Sequence, residues 1–231
     1  MKTLGLCIAA GLGLSACASG GTMGNTNPNN IVTEYPVETA MLNIYTKQRS
    51  ENLVATIGNQ TASADIQVTP KGNMVFNNKK VQGTEINTIN KVNNQITNHS
   101  VAINYFTLNP LVFHGFTDST GKYSVSNQTT TIPKMATVGD SNKLITENVY
   151  TDSRMRQKIG TYNQNWSLTR DSNQTAWFCI ETSDNMLAGG TSEGSSKECY
   201  KINAKGDILA SKVTIAPPAG NGGQTITFNN Q

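Results

Sequence analysis

Residues 61–70 read Thr-Ala-Ser-Ala-Asp-Ile-Gln-Val-Thr-Pro, with Ala62, Ala64, Ile66 and Val68 at every second position and polar residues between them. Successive side chains of a strand point to opposite faces, so this period of two places the four apolar groups together and argues a half-buried strand. The alternation returns at Val101, Ile103 and Tyr105, and again at Val213 and Ile215. Residues 175–182, Thr-Ala-Trp-Phe-Cys-Ile-Glu-Thr, read as a more deeply buried strand, with Trp177 and Cys179 on one side and Phe178 and Ile180 on the other. Residues 146–171 hold a long strand pair with Tyr150, Ile159, Tyr162, Trp166 and Leu168 as core candidates.

Turn chemistry supports the same class. Gly72, Gly121 and Gly206 each stand two residues before an apolar-x-apolar triplet, and a glycine there supplies the positive φ of a hairpin corner. Ile86, Ile89, Val92 and Ile96 approach helical spacing, but Asn87, Asn90, Asn93 and Asn94 interrupt them, which favours strand or loop. The expectation is a mainly β protein, an antiparallel β-sandwich or barrel-like sheet with little helix. A barrel removes exposed strand edges, whereas a sandwich must protect them.

The composition is polar without being charged: 14% of residues are Asp, Glu, Lys or Arg, and the formal net charge is +3. Such a balance gives no clustered basic face of the kind that nucleic acid requires. Lys79-Lys80 and the Arg154, Arg156, Lys158 group are the densest basic spots and read as solvated strand faces.

The amino terminus carries the clearest address. Lys2 precedes an apolar run from Leu4 to Leu14, too short for the ~20 residues that cross a bilayer but suited to a secretory signal. The run closes on Leu14-Ser15-Ala16-Cys17. This tetrad resembles the lipobox of bacterial lipoproteins, a resemblance confined to residues 1–17. It implies removal of residues 1–16, a lipid on the Cys17 sulfur, fatty acylation (palmitate) of the new amine, and a bilayer as the first partner. Two or three acyl chains make a stable anchor without a membrane span. Ala18 at the next position leans toward the outer membrane, with the periplasmic and surface-exposed faces both open. Residues 17–33 are expected to be a lipidated tether, 34–215 the β-rich domain and 216–231 a loose tail in which 225–228 either returns as a strand or stays disordered. The ~215 residues from Cys17 onward suffice for one domain.

Outside the cytosol Cys179 and Cys199 are expected to form a disulfide. Closing a loop of about 21 residues stabilises by roughly 3 kcal/mol on the chain-entropy description. The glycine- and serine-rich stretch between them, 189–196, then forms a loop tied at its base.

No catalytic constellation emerges. His99 and His114 lack metal-ligand spacing, and His114 reads as a partly buried, hydrogen-bonded residue. Gly139-Asp140-Ser141 resembles the nucleophile block of the GDS-type lipid hydrolases, but that family needs a base histidine near the carboxyl terminus and none follows His114. Asp-Ser-Asn is also ordinary turn chemistry. No cofactor motif, phosphate loop or dense carboxylate loop is present. The sequence therefore points to a non-enzymatic envelope protein that binds or assembles with another envelope protein through sheet edges or loop tips. The alternative is a carrier of an apolar or lipid ligand inside a barrel. An apolar cavity of several hundred Å³ favours the carrier, and a solid core dismisses it.

Overall fold

The computed structural model describes residues 31–183, 194–218 and 223–230. Their elements in chain order are β1 (Glu34–Tyr35), α1 (Val37–Thr46), β2 (Arg49–Ile57), β3 (Gln60–Phe76), β4 (Lys79–Val92), β5 (Gln95–Leu108) and β6 (Leu111–Asp118). These are followed by β7 (Tyr123–Asn127), β8 (Ala136–Thr137), β9 (Ser141–Tyr150), β10 (Lys158–Arg170), β11 (Thr175–Thr182), β12 (Ser195–Asn203), β13 (Ile208–Ala216) and β14 (Ile226–Asn230). The mainly β expectation holds, and of the two architectures it is the barrel. Twelve strands close in the order β10-β11-β12-β13-β14-β2-β3-β4-β5-β6-β7-β9, every neighbour antiparallel, while β1 and β8 form a separate two-stranded sheet.

The alternation read from the sequence sets what faces inward. Ala64, Ile66 and Val68 on β3 lie opposite Leu53, Glu51 and Arg49 on β2, and opposite Asn90, Thr88 and Ile86 on β4. Phe178 and Ile180 turn to the lumen and are buried, as are Trp166 and Leu168. The outer wall carries charge, including the Lys91–Asp65 pair and the Lys197–Glu181 pair. A barrel that spans a bilayer presents an apolar band outward; here charged pairs stand on the outer face of β3, β4, β11 and β12. No helix among the described residues is long and apolar enough to cross a membrane.

Hairpin corners differ in part from expectation. Gly121 and Gly206 take positive φ in the β6–β7 and β12–β13 turns. Gly72 also has positive φ, at 70°, but it sits inside β3 at a bulge, where the register with β4 shifts between Pro70 and Gly72. The corner itself is Asn77-Asn78, and Asn93-Asn94 turns β4 into β5, all four at positive φ. Asparagine tolerates that region better than other side chains. Beyond the bulge Phe76 lies on the outer face, stacked on Tyr105 at 4.2 Å and Tyr123 at 5.0 Å.

A barrel of about eight strands is just wide enough for side chains to fill. One of twelve needs something more, and α1 supplies it. Val37, Ala40, Met41 and Ile44 recur at helical spacing and are all buried against Phe106, Phe113, Trp166, Leu168 and Phe178. The helix is tied to the wall by Asn43 Nδ2 donating to the Gly206 carbonyl at 2.9 Å and by the Thr84 hydroxyl donating to the Tyr45 carbonyl. The carboxyl-terminal residues close the barrel: β14 pairs along β13 and meets β2 at Asn229↔Val54 and Asn230↔Leu53. The segment read as a loose tail over 216–231 thus contains a wall strand, and the domain extends past residue 215 to Asn230.

Candidate functional site

The helix occupies one side of the lumen. On the other side, walled by β12, β13, β14, β2, β3 and β4, lies a cavity of about 260 Å³. Its apolar lining includes Leu53, Ile66, Val68, Ile86, Val213 and Phe228. The register explains why these strands converge there: Val213 lies opposite Phe228 on β14 and opposite Glu198 on β12. Burial falls along the cavity from Val68, fully buried, through half-buried Ile66 to Ile215, which is 45% exposed.

A polar cluster stands among these apolar groups. Arg49 Nε donates to Glu51 Oε1 at 2.7 Å, and the Arg49 guanidinium also donates to the Ile44 carbonyl near the end of α1. A cation there complements the negative end of the helix dipole. The Ser211 hydroxyl donates to Glu51 Oε2 at 2.8 Å. The Tyr200 hydroxyl donates to Glu198 Oε2 at 3.2 Å, and the Arg49 guanidinium lies 5.5 Å from the Tyr200 ring centre. Glu198 lines the cavity and keeps exposed surface, although protein surrounds the carboxyl closely enough to desolvate it. Burial pushes its carboxyl pKa up, opposed by the Tyr200 hydrogen bond and Arg49 and reinforced by Glu51. Burial likewise raises Tyr200 well above the ordinary phenol value, and the Glu198 charge adds to it. A third lumen carboxyl, Glu147 on β9, accepts from Ser126 at 2.7 Å and Ser124 at 3.3 Å. Its pKa is raised by burial against those two bonds.

The residues singled out from sequence fare unevenly. Cys179 and Cys199 are bonded, at directly opposed positions of β11 and β12. Cys17 and the tether at 18–30 lie outside the described residues. So does most of the loop expected between the two cysteines, while Ser195 and Ser196 already belong to β12. His114 departs from expectation: its Nε2 is buried with no hydrogen-bond partner among the described residues, and burial lowers its pKa, with Lys79 adding to the effect. His99 meets Asn87 Oδ1 at 2.9 Å. The Gly139-Asp140-Ser141 block is a turn leading into β9, with the Thr137 N–H donating to Asp140 Oδ2 at 2.8 Å. Lys79, Lys80, Arg154, Arg156 and Lys158 are all exposed. Among the described residues no three His, Cys, Asp or Glu side chains stand together as a metal site would require. Closure of the main sheet also removes the sheet edges that partner docking was expected to use, leaving loop tips.

Arg49, Glu51, Glu198, Tyr200 and Ser211 had not been picked out. Their signal is a charge in phase with an apolar face: Glu198 shares its face with Tyr200 and Ile202, and Glu147 shares its face with Ile145 and Val149. No protein-family model, curated protein or solved structure matches the chain.

Proposed function

We propose that this chain is a lipid-anchored protein of the bacterial outer membrane whose barrel is a binding module for a small ligand with an apolar body. The single observation that carries the binding half of the reading is the cavity of about 260 Å³ in a lumen whose other side is filled. Ligand pockets span roughly 300–1,000 Å³, so this one suits a ligand below drug size and excludes a whole phospholipid. Its lining supports the same view: apolar walls with a few convergent polar groups are the usual make-up of a small-molecule site. The anchoring half rests on Leu14-Ser15-Ala16-Cys17 behind Lys2 and a short apolar run.

Native mass spectrometry of the chain, extracted from its own membranes, tests the binding half. A recurrent additional mass of a few hundred daltons or less, lost when Ala64→Phe fills the lumen, is expected. Bare chain in every preparation would count against it. For the anchor, Cys17→Ser should abolish fatty-acid labelling and release the chain from the membrane fraction. Labelling that survives the substitution would sink that half.

A further inference from the structure

Four charged residues line the cavity, Arg49, Glu51, Glu198 and Lys212, and Lys212 sets its ammonium 4.1 Å from the Trp177 ring centre. Arg49 is engaged on two sides, by Glu51 at 2.7 Å and by the Ile44 carbonyl. Both Glu51 oxygens are engaged as well, the second taking the Ser211 hydroxyl at 2.8 Å. Glu198, on the facing strand, accepts from the Tyr200 hydroxyl at 3.2 Å, its one hydrogen bond among the described residues. It turns its remaining surface into the cavity, directly across from Val213. A carboxylate partly desolvated by protein and lacking a full shell of donors is costly, and a cation beside it offsets that cost. The apolar walls lower the effective dielectric below that of water and strengthen the pairing.

Resting on the lumen-binding reading above, we propose that the ligand is a small aliphatic amine. Its ammonium pairs with Glu198 and its hydrocarbon lies against Val68, Ile86, Val213 and Phe228. An aliphatic acid is disfavoured in the same place. It would bring a third negative charge beside Glu198 and Glu51, while Arg49 is already held by Glu51 and the Lys212 ammonium sits on the Trp177 ring. An alcohol fits the walls equally well but offers no charge to the carboxylate. The exposed face of Glu198 is therefore what separates the amine from its isosteres. Charge-assisted hydrogen bonds are also roughly twice as strong as neutral ones.

The test uses the full chain carrying Cys17→Ser, so that no detergent competes for the lumen, with n-hexylamine and hexan-1-ol as probes in calorimetric titrations. The amine should bind about tenfold or more tightly than the alcohol, as one charged contact in an apolar-walled site predicts. Glu198→Gln should erase that difference and leave the alcohol unchanged. Equal affinities in the unsubstituted lumen would overturn the amine assignment while keeping the lumen as a binding site. Binding of neither probe would overturn both. Should Glu198→Gln fail to fold, magnetisation transfer from the methylene next to the ligand nitrogen to the Val213 methyls decides the point in the unsubstituted lumen. Its presence supports the assignment and its absence rejects it.

Discussion

On one side of the lumen Trp166, Leu168, Phe178 and Phe106 close around α1, and all four are buried to 4% exposure or less. On the other side Ala64, Ile66, Val213 and Ser211 face one another across a cavity. Both sides are built from strands of the same alternation; they differ in side-chain size and in what inserts between them. A ten-residue helix rises about 15 Å, enough to fill one side of a wide barrel and not both. The filled side is where stability resides, and the open side is where a ligand has room. The contrast assigns scaffold and site largely to different strands, with β12 shared: Ile202 packs on the filled side and Glu198 lines the cavity.

The largest effect expected is on the filled side. Phe178→Ala should cost about 3–5 kcal/mol in urea unfolding, the range for truncating a fully buried aromatic. Ile66→Ala on the half-buried cavity wall should cost well under half as much. Equal costs would break the contrast.

Next comes the ion pair at the boundary. Arg49→Met leaves Glu51 with Ser211 alone, and its side chain is only 9% exposed. Stranding a partly buried carboxylate this way should cost about 2–4 kcal/mol. Glu51→Gln, which keeps one acceptor for Arg49 and offers its NH2 as a donor to the Ser211 hydroxyl, should cost less.

A sign reversal sharpens the comparison further. Ala64→Val places two methyl groups toward open space and should stabilise by about 0.5–1 kcal/mol, as cavity-filling changes do. Ala176→Val, at a fully buried position of the filled side, should destabilise by about 1–3 kcal/mol through overpacking. Thermal or urea unfolding of the two variants reads both signs directly.

The smallest effect is in pH. Burial raises the folded-state pKa of Glu147 above the ordinary value of about 4.5, and that of Glu198 likewise. The folded chain then binds protons that the unfolded chain releases, so stability falls as pH rises from the ordinary glutamate value through the folded one. Glu147→Gln keeps an acceptor for Ser124 and Ser126 and has no proton to lose. Its unfolding free energy should decline less than that of the unsubstituted chain between pH 5 and 8. An unchanged slope would show that Glu147 does not titrate in the fold as its burial requires.

Local pattern carried most of the wall and little of its contents. Ala62 to Val68, Val101 to Tyr105 and Trp177 to Ile180 each show their face in the sequence, because the period of a strand is written in its own residues. Helix α1 does not figure in that reading. Val37, Ala40, Met41 and Ile44 follow the helical period behind Pro36, but a single short helix is easily lost in a strand-rich chain. The Gly72 bulge was mistaken for a corner because a positive-φ glycine serves either purpose. Closure through β14 was out of local reach. It rests on Asn229 and Asn230 meeting Val54 and Leu53, far apart in the chain, with nothing in Thr225 to Phe228 that selects this partner. The lumen glutamates were visible only as an anomaly: Glu147 between Ile145 and Val149 breaks an apolar face, and only the closed barrel shows that the break is turned inward.

The most direct test of a lumen half filled and half open is xenon, which enters apolar cavities and leaves packed cores alone. In methyl-resolved NMR spectra under xenon pressure, the methyls of Ile66, Val68, Ile86 and Val213 should shift, while those of Leu168 and Ile202 should stay fixed. Shifts spread evenly over both groups, or confined to Leu168 and Ile202, would contradict the division on which the site is built.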